Sequence, residues 1–343
     1  MERAAHIPMR RVGPIRLAGP EVDTEFLAPL ATLETPLWPS VARGARVTRE
    51  AGGIRATVVD ERMTRAVLFE APDAIAAADA ARGMSARKAE LAGVVAATGR
   101  FARLLDLHTQ VAGPLLFLRI EISTGDAAGH NMVTKAAQAV LEHCHRATPA
   151  LRPVSVSGNL CTDKKVSAIN GLLGRGRHVV AEARIPAALC RQRLRVEPAA
   201  LAALHIRKNL VGSILAGSLR SANAHAANML LAFYLATGQD GANIVEGSQA
   251  ITYVDTADGD LAFSVSLPNL IVGTVGAGKD LPYIEENLAD LGCRADRVPG
   301  ANARRLAVMA AATVLCGELS LLAALACPGE LVRTHLRLER NRG

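Results

Sequence analysis

The stretch from residue 306 to 327, LAVMAAATVLCGELSLLAALAC, constrains the fold more than any other part of the chain. It is long enough to cross a bilayer and contains a single charged residue, Glu318. A carboxylate in the middle of a membrane span is costly, and the many alanines suit close packing against other elements. The stretch therefore predicts a helix, or a helix pair, buried in a globular core, and we expect no association with a membrane.

The composition allows large cores and favours small anionic ligands. Of the 343 residues, 50% are hydrophobic, which is enough for two domains or one large domain with an insertion. The net charge of +7 favours anionic partners. Aromatic residues make up only 3%, too few for the stacking platforms that bind single-stranded nucleic acid. We therefore expect no nucleic-acid partner.

The cysteines and the N-terminal segment indicate a compartment. The 6 cysteines show neither a CxxC pair nor zinc-ligand spacing, so we expect free thiols in a reducing environment and no metal site. The opening MERAAHIPMRRVGP has no apolar core of signal-peptide length. Together these features predict a cytoplasmic protein.

The pattern of apolar residues predicts an α/β (α+β) chain. The runs GPIRLA, ARVTRE and IRATVV between residues 9 and 60 are typical of strands, and residues 73–98 of a helix broken near Gly83. A strand at 113–124 precedes the turn TGDAAGHN, the helix MVTKAAQAVLEHCHRA and a strand at PVSVSG. Helices at 222–237 and 301–325 flank the strand LAFSVSLP.

The order of these elements suggests an insertion. Helix, strand, loop, helix and strand between about 67 and 155 could form a small α/β unit with its own sheet. Residues 1–66 and 156–343 would then form the two parts of a larger domain.

Two glycine-rich segments are candidates for phosphate-binding loops. GTVGAGKD, residues 273–280, begins like a P-loop with Gly273, Gly278 and Lys279, but Asp280 stands where Ser or Thr would hold Mg²⁺. ATP hydrolysis is disfavoured, leaving an ordinary tight turn or a backbone-amide cradle for another phosphate. TGDAAGHN lacks the Rossmann spacing, and a structural turn is favoured there over a ligand site.

The segment SGNLCTDKKVSAIN, residues 157–170, has the clearest chemical character. Asp163, Lys164 and Lys165 are adjacent among small and nearly uncharged residues. Neighbouring lysines usually lie on a solvated surface, but this setting favours a turn where polar side chains converge. One lysine could stabilise a developing oxyanion while the other binds a carboxylate.

These residues resemble the 3-hydroxy-3-methylglutaryl coenzyme A reductase family. The matching segments run in family order from about residue 12 to 337, and include FLAPLATLE, TGDAAGHNMV, SGNLCTDKKVSAIN, KNLVGSILAGS, NAHAANM, GTVGAGK and CGELSLLAALA. The resemblance implies a large substrate domain with an inserted ferredoxin-like, non-Rossmann cofactor domain. It also implies reduction of a thioester to mevalonate, with release of coenzyme A, by two hydride transfers from NAD(P)H.

The resemblance assigns roles to individual residues. It implies that Lys164 polarises the thioester carbonyl, Glu34 donates protons to the reduced oxygen, Asp240 adjusts the protonation of both, and His335 protonates the departing thiolate. The positions that match substrate-binding residues are Arg65, Ser157, Asp163, Lys165, Lys208, His225 and Asn228, with Ser40, Arg43 and Arg46 for coenzyme A. Those that match cofactor-binding residues are Arg100, Asp126, Gly129, Asn131, Gly276 and Gly278.

Some features leave alternatives open. Thr35-Pro36 follows Glu34, Trp38-Pro39 lies further on, and His130 stands in the cofactor loop, where relatives have other residues. A protein of the same fold that acts on or binds another acyl-CoA is therefore an alternative, with a P-loop or nucleic-acid-binding protein further away. Arg100 favours NADPH, with NADH as the other candidate. The resemblance implies a homodimer with its active sites at the interface, or a tetramer of paired dimers.

Overall fold

The computed structural model describes residues 5–330, 332, 333 and 336. Its strands are β1 Met9–Ala18, β2 Thr24–Ala31, β3 Ile54–Glu70, β4 Arg103–Ala112, β5 Leu115–Ser123, β6 Arg152–Ser155, β7 Gly176–Ile185, β8 Ile251–Ala257 and β9 Asp260–Leu270. Its helices are α1 Leu37–Glu50, α2 Ala74–Ala86, α3 Lys88–Ala96, α4 His130–Ala147, α5 Ala168–Leu173, α6 Ala187–Leu189, α7 Pro198–His205, α8 Ser213–Leu215, α9 Ala226–Ala236, α10 Ile244–Gly247, α11 Pro282–Asp290 and α12 Ala301–Ala326. Irregular turns of π-helix extend α6 over Cys190–Leu194 and join α7 to α8 over Ile206–Gly212, and a 3₁₀ turn, Gly241–Asn243, precedes α10.

The long strand β3 belongs to two sheet regions. Its first half pairs parallel with the end of β1 and antiparallel with β7, in the order β2–β1–β3–β7–β9–β8. Its second half pairs antiparallel with β5, from Met63 opposite Ile122 to Glu70 opposite Leu115, and with β6. The expected boundary at residue 67 therefore falls inside this strand, whose change of partner begins near residue 63.

The larger apolar core surrounds α12. This helix packs against α1, α9 and strands of the first sheet region, and its apolar residues from Leu306 to Leu319 are fully buried. Among the described helices, α12 is the one long and apolar enough to cross a membrane, and 94% of its most apolar window is inside the protein. The prediction of a buried core helix is confirmed.

A second apolar core lies between α2, α3 and α4 and the other sheet region. Its strands are all antiparallel in the order β6–β3–β5–β4. Met63, Phe69, Leu118, Val133 and Val140 are among its buried residues. The predicted strand at 113–124 and the helix after TGDAAGHN are confirmed as β5 and α4, whereas β4 was not anticipated.

Two local predictions were wrong. ARVTRE is the end of α1 and not a strand, because Trp38, Val41, Ala45 and Thr48 repeat at helical spacing and are all buried. The break between α2 and α3 lies at Arg87 and not at Gly83, which is inside α2.

The contact between α1 and α12 generates a prediction about stability. A Cβ added to Gly44 would lie 2.0 Å from the carbonyl oxygen of Cys316 and 2.7 Å from its Cα, so α1 would have to move away from α12. We expect Gly44→Ala to lower the free energy of unfolding by about 2–3 kcal/mol through overpacking, measured by urea denaturation. Gly83→Ala is the matched control, because nothing lies within 4 Å of its added Cβ; it should stabilise by about 0.5–1 kcal/mol. Equal effects of the two substitutions would contradict the close approach.

Candidate active site

The loop between β6 and α5, residues 156–167, carries the doubled lysine in an unusual backbone conformation. Asn159, Thr162 and Lys164 have φ angles of 63°, 41° and 56°. These lie in the left-handed region, which residues other than glycine rarely adopt. Buried partners hold the loop in this shape. Glu246 Oε1 accepts the Lys164 N–H at 3.2 Å, and Arg119 Nη1 donates to the carbonyl oxygen of Leu160 at 2.9 Å.

Lys164 and Asp240 form an ion pair at the surface of this loop. Lys164 Nζ lies 2.6 Å from Asp240 Oδ2, and the two side chains are 43% and 45% exposed. The hydrogen-bonded Asp240 raises the pKa of the Lys164 ammonium. Burial raises the pKa of Asp240, but the Lys164 ion pair and the N–H of Ala242 outweigh it, and the net pKa is lowered. Exposed pairs stabilise folding by less than ~1 kcal/mol, so this one mainly places a permanent ammonium where a ligand can reach it.

Asp163 is held by two guanidinium groups beside that ammonium. Arg175 Nη2 donates to Asp163 Oδ1 at 2.6 Å, and Arg65 Nη1 lies 3.5 Å from Oδ2. Burial raises the pKa of Asp163, but its cationic neighbours, led by Arg175, outweigh burial. The net pKa is lowered, so the carboxylate remains ionised. Arg65 also donates to Ser157 Oγ at 3.4 Å, and Lys165 Nζ donates to the carbonyl oxygen of Asp163 at 3.0 Å. The structure thus brings four predicted substrate-binding residues together.

Arg175 and Glu246 support this cluster and were missed in the sequence. Both side chains are fully buried, with Arg175 Nε 3.4 Å from Glu246 Oε1 and Arg175 Nη1 donating to the carbonyl oxygen of Thr64 at 2.7 Å. Burial raises the pKa of Glu246. The arginine between two glycines in GLLGRGRHVV, with a second arginine two residues later, was the available signal, because a charged residue in such an apolar segment is either exposed or paired.

A second group of predicted residues lines a separate cavity. Glu34, Ser40, Arg43, His225 and Asn228 face a space of about 750 Å³. His225 Nε2 donates to the carbonyl oxygen of Gly317 at 3.0 Å, and Asn228 Nδ2 lies 3.4 Å from His225 Nδ1.

Glu318 positions this second group from within α12. It is buried, and its two carboxylate oxygens accept the N–H groups of Ala224 and His225, each at 2.7 Å. Burial raises its pKa, while the nearby charge of His225 and, more weakly, of Lys208 acts in the opposite direction. Glu318, the single acid of the apolar stretch, thus fixes the backbone of the turn that carries His225.

Arg43, matched by the resemblance to the coenzyme A segment, makes contacts within the protein. Its guanidinium is paired with Glu330 at 2.7 Å and donates to the carbonyl oxygen of Leu194 at 2.9 Å. Arg46 is exposed on α1, and Arg193 and Arg195 also line the cavity. In this conformation Arg43 shapes one wall of the cavity through protein contacts.

The two groups are distinct within the described residues. No hydrogen bond or ion pair between residues 5 and 330 joins Glu34 or His225 to Lys164 or Asp240. His335, the fourth predicted catalytic residue, lies outside the described residues.

The two glycine-rich segments lie side by side. Thr274 N–H donates to the carbonyl oxygen of Asp126 at 2.8 Å, and Ala127 forms a parallel bridge with Val275. The Asp126 carboxylate accepts the N–H groups of Gly300 and Ala303 at 2.9 and 3.0 Å, so it caps the N-terminus of α12. Both of its side-chain oxygens are therefore committed within the protein.

Glycines shape the backbone of both segments. Gly129, Gly276 and Gly278 have φ angles of 98°, 104° and 78°. No atom lies within 4 Å of a Cβ built on Gly276, which leaves open backbone for a ligand to approach. Lys279 does not serve as a P-loop lysine, because its buried ammonium donates to the carbonyl oxygen of Gly238, and burial lowers its pKa to about 8.

The remaining predicted cofactor residues lie nearby on the smaller core. Asn131 lines an open groove of about 800 Å³ on α4, together with Lys135 and Arg146. The Arg100 guanidinium lies 5.0 Å from the centre of the Phe101 ring. This groove and the glycine turns provide positive charge and accessible backbone, which suits a phosphorylated cofactor.

The fold and these groups define an α/β protein with a solvent-accessible lysine–aspartate pair beside a second aspartate that guanidinium groups hold, an arrangement suited to an enzyme acting on an anionic, polarised substrate. The chain belongs to the hydroxymethylglutaryl-coenzyme A reductase family, whose family model matches residues 4–340. The resemblance seen in the sequence is confirmed.

Individual relatives support the same assignment. The chain is 43% identical over 337 residues to the 3-hydroxy-3-methylglutaryl-coenzyme A reductase of Pyrococcus abyssi, covering 97% of this chain and 82% of that protein. It is 45% identical over 323 residues to that of Halobacterium salinarum, covering 94% of this chain and 79% of that protein.

Two solved structures of the Streptococcus pneumoniae reductase share the fold at 19% identity. One has a TM-score of 0.75, covering 94% of this chain and 86% of that chain. The other, a class II enzyme bound to NADPH, has a TM-score of 0.74 and covers 95% and 77%.

Proposed function

We propose that this protein reduces 3-hydroxy-3-methylglutaryl-CoA to mevalonate and coenzyme A. Two equivalents of NADPH and two protons are consumed, because a thioester must pass through an aldehyde to become an alcohol. The observation that carries the proposal is the Lys164–Asp240 pair, 2.6 Å apart, beside an Asp163 that Arg175 and Arg65 keep ionised. The resemblance in the sequence matched Lys164 and Asp240 to catalytic positions of the reductase family, and Asp163 and Arg65 to substrate-binding positions.

In this proposal the chain supplies charge and protons to two hydride additions. The Lys164 ammonium stabilises the negative oxygen that forms each time, in a position that Asp240 and the Glu246-bound backbone maintain. Glu34 donates protons to that oxygen, and His335 protonates the coenzyme A thiolate as it departs. Lys165, Arg65 and Ser157 bind the acyl group, while Lys208, His225 and Asn228 complete its site.

The proposed cofactor is NADPH, which supplies the hydride when bound. The Streptococcus pneumoniae neighbour is bound to NADPH, and Arg100, Lys135 and Arg146 provide positive charge for a phosphorylated nucleotide. We propose that residues 67–155 form an inserted ferredoxin-like cofactor domain. The antiparallel order β6–β3–β5–β4, with α2 and α3 before β4 and α4 before β6, supports this. Gly129, Asn131, Gly276 and Gly278 would hold the cofactor at the junction of the two cores.

The proposed assembly is a homodimer with composite sites, in the cytoplasm. Within the part of the chain that is described, no hydrogen bond or ion pair joins Glu34 and His225, the Glu34 group, to Lys164 and Asp240, the Lys164 group. The surface formed by Ile206, Val211, Ile214 and Leu215 exposes large apolar side chains, with Ile214 77% and Leu215 83% exposed. Apolar surface of this kind is typical of subunit interfaces. A second copy would bring its Glu34 and His225 to the Lys164 of the first.

The first functional prediction concerns stoichiometry. We expect two NADPH oxidised per mevalonate formed from hydroxymethylglutaryl-CoA, and a lower kcat/KM with NADH.

Lys164→Ala should reduce kcat by roughly 10²-fold or more through loss of the charge that faces the oxyanion. Lys135→Ala, which removes a lysine from the α4 groove, should leave kcat near the wild-type value and raise only the KM for NADPH. Release of coenzyme A without mevalonate, or an unchanged kcat in Lys164→Ala, would refute the proposal.

The second prediction tests whether the sites are shared between subunits. Lys164→Ala and Glu34→Gln should each be nearly inactive alone. When the two variants are co-expressed and assemble at random, half of the dimers contain one of each chain, and one of their two sites is intact. We therefore expect recovery of about a quarter of wild-type activity. No recovery in verified mixed dimers would show that Lys164 and Glu34 act within one chain.

The third prediction concerns His335. His335→Gln should slow reduction of hydroxymethylglutaryl-CoA by roughly 10²–10⁴-fold, as is typical for loss of a general acid. Reduction of free mevaldehyde should suffer much less, because this substrate has no thiolate to expel. Lys164→Ala is the control that should impair both reactions. Equal loss of both activities in His335→Gln would assign the histidine to another role.

A further inference from the structure

His130 is an ionisable residue that no part of the proposed reaction uses, although it faces the Lys164 group. It is the first residue of α4 and follows Gly129, whose added Cβ would lie 2.3 Å from Thr124 Cγ2. The imidazole lies beside the loop at residues 156–167, called the catalytic loop in this proposal, with Nε2 3.9 Å from Asp163 Oδ1. The Nε2 atom is buried and makes no hydrogen bond to any described residue. Buried polar atoms normally have a partner, so this one is suited to a ligand that changes its surroundings.

The charges around His130 are nearly balanced. Asp163 and Lys164 face it from the catalytic loop, Arg175 from the segment before β7, and Asp240 from the turn before α10. Burial lowers the pKa of His130, Arg175 and Lys164 lower it further, and Asp163 and Asp240 raise it, with a net lowering. Arg65, on β3, adds positive charge on the other side of Asp163. The imidazole is therefore neutral at neutral pH when no ligand is bound.

We propose that His130 takes up a proton when the carboxylate of the acyl group binds beside Lys165 and Asp163. The inference rests on the proposed function, which supplies a ligand with a free carboxylate. A carboxylate within a few ångströms adds negative charge to the balance and favours the imidazolium form. The proton comes from solvent. The same carboxylate occurs in the product mevalonate, which serves as a simple probe without redox chemistry.

Proton uptake at His130 has a defined effect on affinity. Because the imidazole binds a proton more tightly in the complex than in the free protein, the ligand must bind more tightly as pH falls through the range between the two values. The carboxylate of mevalonate stays ionised throughout this range, since its own pKa is near that of Glu. We expect the Kd for mevalonate to be roughly threefold lower at pH 6 than at pH 8 in the wild-type protein.

Calorimetry tests this directly. Mevalonate is titrated into the full chain at pH 6 in two buffers of different ionisation enthalpy, and the slope of heat against buffer enthalpy gives the protons taken up. We expect on the order of half a proton per site for the wild type. His130→Gln should bind mevalonate with close to zero uptake and with a Kd that no longer differs between pH 6 and pH 8.

His178→Gln is the matched control. Burial also lowers the pKa of His178, but this residue faces Asp60 and Arg220, away from the Lys164 group. We expect its proton uptake to equal that of the wild type. Equal uptake in the wild type and His130→Gln would overturn the inference while leaving the proposed function intact. No binding of mevalonate to the wild type would overturn both.

A measurement on the wild-type protein does not depend on the folding of a variant. Histidine ring resonances followed by NMR across pH 5–8 should include one whose apparent pKa rises when mevalonate saturates the protein. That resonance should be missing from the spectrum of His130→Gln and present in that of His178→Gln. Absence of any histidine with a ligand-dependent rise would contradict the proposal.

Discussion

The buried guanidinium of Arg175 is the interaction on which the candidate site depends. It joins Asp163 of the loop at residues 156–167, Glu246 of α10 and the backbone of Thr64 on β3. Each of these groups is costly to bury alone, and removing one partner of such a set typically destabilises by about 3–5 kcal/mol. Because Glu246 also accepts the Lys164 N–H, the same network holds the left-handed turn that presents Lys164. The exposed Lys164–Asp240 pair contributes little to folding stability, because the buried charges beneath it hold the loop in place. The pair is therefore available to act on a ligand.

The long strand β3 explains why the site lies where it does. Its first half is paired within the larger core and its second half within the smaller one. Arg65 lies just beyond this change of partner and reaches Ser157, Asp163 and Thr134 of α4. The glycine turns at 124–129 and 273–278 meet at the same junction. A cofactor bound by the smaller core and a substrate bound by the larger one would meet there.

The second half of the site is organised by α12. Its one acid, Glu318, is directed at the backbone of Ala224 and His225, and its N-terminus is capped by Asp126 of the proposed cofactor loop. The core helix therefore contacts both the cavity lined by Glu34 and His225 and the segment proposed to bind NADPH. This arrangement explains why so apolar a helix retains a buried carboxylate, which needs two backbone donors to offset its desolvation.

Sequence alone predicted the buried helix at 301–325, which is α12, the strands β5 and β9, the helix α4 and the family, because apolar periodicity and long motifs are local properties. It also selected Lys164, Asp240, Asp163 and Arg65 through the resemblance, although not their mutual contacts. Only the tertiary structure decided that Arg175 and Glu246 support them, that Asp126 caps α12, that Arg43 pairs with Glu330, and that His130 faces Asp163. These contacts join residues far apart in the chain, and their energies depend on burial and on neighbouring charges, which no short stretch of sequence contains.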